Sequence, residues 1–324
     1  EFQYGKNAPH ASFFVWGRKM KRALLIADSP GWAYDIEAQS IKRHASKFGW
    51  EAEVGYVRDL RRKEQSTDLS DFDAIFWLFW YHAISLGPRL RGFDFQKSAV
   101  LVSSHVGWEK RGISISELRE ILSLFPAVGA SSLKLLSEID IENSIQIPHG
   151  VDRDRFRFRR LRKNSKLTLM WVGNPDIGHH GDLKGLNSII QPVISRFRKD
   201  QIRLITATPS NLVPYDEMPE FYSRGDILLV TSESEGNPMP VIESMHTGRP
   251  VISTNVGVVP ELVKNGRNGW IIERNRASLH SAIEDAMKSR SRLARMGVLS
   301  KISVFSRSSK KKAKVVFELL NRCV

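Results

Sequence analysis

Short continuous apolar runs recur along the chain, each closed by a turn signal and followed by residues at helical spacing. Residues 23–27 (Ala-Leu-Leu-Ile-Ala) stop at Asp28-Ser29-Pro30-Gly31, and Ile36, Ile41 and Ala45 follow. A run this short and apolar at consecutive positions predicts a strand buried on both faces, then a turn and a helix. Residues 53–57, 74–80 and 99–103 repeat the strand signal; Leu118, Ile121, Leu122 and Phe125 recur at helical spacing, and 127–130 supply one more strand. Alternating strands and helices predict a parallel sheet covered on both faces.

Past Ile147-Pro148-His149-Gly150 the chain turns very basic and strand-poor over 153–166, as an interdomain linker would. A second series then begins, with strands expected at 167–172, 202–207, 226–231, 250–253 and 270–272 and helices at 188–197, 218–223, 240–247 and 278–287. Ala313, Val316, Phe317 and Leu320 predict a terminal amphipathic helix over 308–321. The expected division is a leader over 1–19, one Rossmann-like domain over 20–150, a second over 151–307, and a C-terminal helix over 308–324. That helix is expected to pack back on the N-terminal domain.

Composition narrows the class. A length of 324 residues suits two domains sharing one cleft. The single Cys323 excludes an intrachain disulfide framework and a cysteine-based zinc site, which fits a reducing compartment. The longest apolar run, 74–81, is far shorter than the roughly 18 residues of a spanning helix. A net charge of +14 favours polyanionic partners, with basic clusters at 18–22, 58–63, 153–163 and 310–314. The expectation is a cytoplasmic protein that can sit peripherally at the inner face of an anionic membrane; nucleic acid is not the expected partner.

Candidate chemistry concentrates in Thr231-Ser-Glu-Ser-Glu235-Gly-Asn-Pro-Met-Pro240-Val-Ile-Glu243. A strand ends, a loop with Gly236 turns, and a helix is expected to open at Pro240, where a missing amide hydrogen costs nothing. Unpaired amides at a helix start suit a diphosphate lying outside the carboxyl edge of a parallel sheet. Pro238 and Pro240 cannot donate, which leaves the amides of Gly236, Asn237, Met239, Val241 and Ile242. Glu243 is expected within the first turn, where the helix dipole favours it.

Glu235 and Glu243, eight positions apart, resemble the paired-glutamate motif of the retaining GT-B glycosyltransferases called glycosyl transferases group 1. Similar to that family are also Tyr222-Ser-Arg-Gly-Asp226, Gly248-Arg-Pro-Val-Ile-Ser253, Val256-Gly-Val-Val-Pro-Glu261, Asn265-Gly-Arg-Asn-Gly269, the linker Ile147-Pro-His-Gly-Val-Asp152 with Phe156, and Val172-Gly173 with Lys184-Gly185. The resemblance covers roughly residues 147–272. It implies an α/β protein of GT-B architecture, with two Rossmann-like doubly wound domains facing a central cleft.

It also implies roles. Glu243 would hold the ribose hydroxyls of a nucleotide-sugar, UDP- or GDP-linked, and Glu235 would bond the donor sugar near its reacting carbon. Gly236, Asn237, Met239 and Val241 would present amides to sugar or diphosphate. Lys184 would neutralise the leaving diphosphate, His105 would contact the sugar from the other domain, and Gly31 and Gly173 would bring backbone close to the phosphates. Asn174 stands where the family carries an arginine, which removes half of the usual cationic clamp; either another basic group in the loop with His179 and His180 compensates, or the diphosphate is gripped less tightly. No metal or other cofactor is expected. The acceptor would be a glycan or lipid-linked hydroxyl, with retention of anomeric configuration, in polysaccharide or glycolipid synthesis. A dinucleotide-dependent oxidoreductase fits the α/β alternation, but no GxGxxG follows the first strand. A non-catalytic nucleotide-sugar or nucleic-acid binder and a DNA-modifying transferase remain as alternatives.

Overall fold

A computed structural model describes residues 14–15, 18–161, 166–175 and 182–324. Most of the expected leader, together with His179 and His180, lies outside the described residues. Grouped by compactness, the chain falls into one unit of residues up to Val100 with Phe125–Ala127 and Val316–Val324, and another of Leu101–Leu124 with Val128–Val315.

The N-terminal sheet has six strands: β1 (Lys21–Ala27), β2 (Trp50–Tyr56), β3 (Ala74–Trp77), β4 (Ser98–Val102), β5 (Ala127–Ala130) and β6 (Ser144–Gln146), in the order β2-β1-β3-β4-β5-β6. β1 runs parallel to both β2 and β3, with Ala23 opposite Ala52 and Ala74. The helices used below are α1 (Ala33–Lys42), α2 (Trp80–Leu86), α3 (Ile115–Ser123) and α4 (Leu133–Ile139). α3 opens on a capping box: Ser114 accepts from the Glu117 amide while Glu117 accepts from the Ser114 amide.

The second sheet has five parallel strands, β7 (Leu167–Val172), β8 (Ile202–Ala207), β9 (Ile227–Val230), β10 (Val251–Thr254) and β11 (Gly269–Ile272), in the order β8-β7-β9-β10-β11. Its helices are α5 (Met218–Arg224), α6 (Met239–His246), α7 (Arg276–Met287) and α8 (Arg290–Ser303), and α9 (Ser309–Leu320) ends the chain. Alternate strand residues feed two cores. Met170, Leu228, Val230 and Val251 pack with Phe221, Tyr222, Val241 and Met245 of α5 and α6. Leu169, Trp171, Leu229 and Ile252 pack with Leu279, Ile283, Leu293 and Met296 of α7 and α8. Period-two alternation with both faces apolar is what a doubly wound sheet requires.

Several elements differ from expectation. The aromatic run 74–80 is not one strand: β3 stops at Trp77, the Leu78 amide donates to the Ile26 carbonyl, and Trp80 already begins α2. Trp80, Ala83 and Leu86 are the buried face of that helix, and a continuous apolar run cannot separate strand from buried helix by period. β2 begins at Trp50, alternates buried and exposed residues as an edge strand does, and ends before Val57, which opens a short helix. The helix expected over 188–197 starts as a wide π turn at Leu186–Ile190 before Gln191–Ile194. β6, α4 and the fourteen-residue α8 carried no recognised signal. In the first unit, Phe317 of α9 stacks on Trp50 at 5.8 Å and on Phe48 at 6.1 Å.

Candidate active site

β7 lies between β8 and β9, so the chain leaves β7 toward one edge of the sheet and returns to extend it on the other. The carboxyl ends of two such strands are the usual place for a ligand in an open α/β sheet. The loop after β7 carries Gly173, Asn174 and Lys184; that after β9 carries residues 231–238. Almost every residue singled out in the second domain thus comes to one switch point.

The two loops are laced together. The Glu233 amide donates to the Leu183 carbonyl at 2.9 Å, and the Thr231 hydroxyl donates to the Lys184 carbonyl at 2.8 Å. Arg274 spans both, donating to the carbonyls of Thr231 (3.0 Å) and Asp182 (2.8 Å). Gly185 adopts φ +74°, and a methyl group there would lie 2.4 Å from the Thr231 hydroxyl oxygen. Lys184 is thereby fixed, and its ammonium group donates to Oε1 of Glu235 at 2.8 Å. Ser232 donates to the same oxygen at 2.8 Å, while Oε2 takes no hydrogen bond from the described residues. Gly173 lets the loop pass close to the lysine stem: a methyl group there would sit 3.0 Å from Lys184 Cδ.

α6 opens one residue earlier than expected, with Pro238 as the capping residue, Met239 first and Pro240 second. Glu243 therefore lies beyond the first turn, and the dipole argument for it fails. Its environment is of another kind. The side chain is 3% exposed, the Tyr222 hydroxyl donates to Oε2 at 2.7 Å, and Oε1 is buried with no hydrogen-bond partner among the described residues. Burial raises the carboxyl to about 7, against the Tyr222 and Tyr215 hydroxyls and Arg155, which pull it down. The same burial, together with the Glu243 charge, raises both tyrosines far above their ordinary value. A buried acceptor without a donor is a costly state that a ligand hydroxyl relieves.

Other expected donors are already engaged. The Val241 amide donates to the Pro238 carbonyl at 3.0 Å, so it is not available to a phosphate in this arrangement. The Gly173 amide donates to the Ala207 carbonyl at 3.0 Å, and the Gly31 amide to Asp35 at 2.7 Å, at the start of α1. Asp35 also accepts from the Tyr56 hydroxyl at 2.9 Å, which stiffens that turn. His105 Nε2 meets the Glu138 carboxylate of α4, and its ring lies 5.2 Å from that of Trp108. Gly236 lies against the end of β4: a methyl group there would be 1.5 Å from the Ser103 carbonyl oxygen. Asn237 keeps its side-chain oxygen buried without a partner among the described residues.

Four supporting residues were quoted within motifs, or passed over, without a role. Tyr222 holds Glu243. Arg249, wholly buried, donates to the carbonyls of Tyr222 (3.1 Å), Ser223 (3.0 Å) and Arg159 (2.5 Å), fastening the end of α5 to the linker. Glu261 accepts from the Leu133 amide at the start of α4, from Gln146 and from Arg307, each at 2.8 Å. Arg274 joins the two loops. A motif letter marks such residues, but only their partners reveal what they do.

Two parallel α/β sheets of six and five strands, with GT-B structural neighbours, give the chain the GT-B fold. Within it, residues 180–300 match the family model described as Glycosyl transferases group 1. The sulfoquinovosyl transferase SQD2 of Arabidopsis thaliana is 29% identical over 171 residues, 46% of this chain and 33% of that protein. A putative colanic acid biosynthesis glycosyltransferase, WcaL of Salmonella typhimurium, is 33% identical over 75 residues, 21% of this chain and 18% of that protein. The match to these curated relatives thus spans a third of their length or less. The Anabaena protein HepE, solved in complex with UDP, superposes with a TM-score of 0.69 at 13% identity, covering 93% of this chain and all (100%) of that one.

Proposed function

We propose that this chain is a retaining glycosyltransferase that moves a sugar from a UDP- or GDP-linked donor to the hydroxyl of a glycan or lipid-linked acceptor. We place it in cell-surface polysaccharide or glycolipid synthesis at the cytoplasmic face of a membrane. The observation that carries the reading is the Lys184–Glu235 pair at the β7/β9 switch point, with the unpartnered Glu243 oxygen on the helix that follows. That oxygen is the acceptor for a ribose hydroxyl. HepE, of the same fold, was solved with UDP, and the polysaccharide context is supported by the likeness to a putative colanic acid biosynthesis glycosyltransferase.

In the proposed reaction the bond from the anomeric carbon to the phosphate oxygen breaks and the acceptor oxygen bonds to that carbon on the same face, which retains the configuration. The nucleoside diphosphate leaves with the electron pair and receives the hydroxyl proton. Lys184 stabilises charge as it builds on the diphosphate, and Glu235 accepts from the sugar hydroxyls and orients the reacting carbon. No metal or cofactor enters this scheme.

The test incubates UDP- and GDP-sugars with acceptors, follows nucleotide release, and reads the anomeric proton coupling of the product. Retained configuration is expected, and Glu235→Gln should lower kcat by about 100-fold, the scale of a lost transition-state contact. Inverted product, or a Glu235→Gln enzyme as fast as wild type, overturns the proposal.

A further inference from the structure

α8 is apolar on two faces. Leu293, Met296 and Val304 turn inward and are buried, whereas Val298 (46% exposed), Ile302 (62%) and Phe305 (56%), at helical spacing, form an outward stripe along α8 and the turn after it. Leu212 and Leu133 are exposed singly, whereas an exposed apolar row of this kind marks a contact surface. Its surroundings select the partner. From Arg290 through Phe317 the sequence holds nine lysines and arginines and no acid. The linker runs beside the same helix: Arg153 stacks on the Phe305 ring at 3.9 Å, and Phe158, 38% exposed, lies where a methyl group on Gly248 would touch it at 2.5 Å. The Gly248 carbonyl in turn would lie 2.3 Å from a methyl group on Gly297 of α8. Arg157, Arg159 and Arg160 of the linker, Arg295 of α8, and Lys310, Lys311 and Lys314 at the start of α9 are exposed, as is Asp154.

We propose that the outward face of α8, with the Arg153–Arg160 stretch beside it, docks this protein on an anionic lipid bilayer. Among the described residues no helix is long and apolar enough to cross a membrane, so the contact is interfacial. Val298, Ile302, Phe305 and Phe158 enter the boundary between headgroups and acyl chains, while the arginines and lysines meet lipid phosphates at the rim. The apolar row distinguishes this surface from a nucleic-acid site, which would present bases without it. The proposal does not depend on the transfer reaction.

The test is cosedimentation with vesicles of phosphatidylcholine alone or with about a third phosphatidylglycerol, a composition chosen to give an anionic surface. Binding is expected only to the anionic vesicles. Arg160→Glu and Arg295→Glu should each lower the partition coefficient about fivefold or more per charge removed. Ile302→Asn with Phe305→Ser should lower it further while leaving nucleotide binding unchanged and costing the fold only the Arg153 stack. A solvatochromic dye on Phe305→Cys should shift blue on these vesicles and the same dye on Ser210→Cys should not; Cys323 is buried. Four outcomes overturn the proposal: no binding to anionic vesicles, binding untouched by the apolar variant, binding to duplex DNA with the same dependence on both sets of variants, or a dimer in sedimentation velocity that the apolar variant dissolves.

Discussion

Glu243 is an acid that folding has taken out of water, and its consequences can be separated by pH. Its carboxyl rises from the ordinary 4.5 to about 7, so the folded chain holds the proton more tightly than the unfolded one. Stability from this group is full below 4.5, falls as pH rises toward 7, and is flat above, a total on the order of 3 kcal/mol. His246 acts in the opposite sense: burial lowers it to about 4, so its contribution is full above 6.5 and is lost as pH falls toward 4. Subtracting Glu243→Gln from wild type isolates the first effect. Urea titrations at pH 4.5 and 8 should show the glutamine variant gaining relative stability at the higher pH; an equal difference at both would contradict the assignment. Tyr222→Phe removes the one hydroxyl directed at Oε2. The expected result is a higher donor KM with kcat little changed, and a pH dependence of donor KM displaced upward because the ionised acid has lost a donor. A uniform loss of both parameters with an unmoved pH profile would mean that Tyr222 only packs. The identity of Glu243 was legible in the sequence, from its spacing to Glu235. Its environment was not, because Tyr222 and Tyr215 reach it through tertiary packing that no local pattern encodes.

The loop after β7 and the loop after β9 behave as one element, held by Thr231, Glu233 and Arg274 around the left-handed Gly185. Gly185→Ala places a side chain at φ +74° against the Thr231 hydroxyl. It should cost about 1–3 kcal/mol of stability and release Lys184 from its register. Thermal unfolding reads the first effect, and slower donor turnover with preserved nucleotide affinity reads the second. A variant that keeps wild-type melting and turnover would show the lacing to be incidental. At this scale the strands of the second sheet were readable nearly to the residue, because buried parallel strands are short, continuous and β-branched. The start of α6 was displaced by one residue because the rule used to place it puts proline first, whereas Met239 is first here, between Pro238 at the cap and Pro240 at the second position. α8 escaped detection for the reason that makes it interesting: with apolar residues on two sides it shows no single-face period.

Across the molecule, the architecture follows from one repeated device, a parallel sheet that reverses its direction of growth next to its first strand. In the second sheet this happens between β7 and β9, and the family motifs fall on the loops it separates. In the N-terminal sheet it happens between β1 and β3, with Gly31 and Trp32 after the former and Phe79 after the latter. That much was legible as alternation of elements, whereas strand order was not, since sequence period carries no record of which edge a strand joins. The central claim is that a nucleoside diphosphate binds at the β7/β9 switch point with Glu243 on its ribose. Calorimetric titration of UDP, GDP and ADP into wild type and Glu243→Ala tests it most directly. The account predicts saturable binding of at least one nucleotide, weakened about tenfold or more in the variant, the worth of one hydrogen bond to a charged group. Identical affinity in the two proteins, or no binding of any of the three, would contradict it.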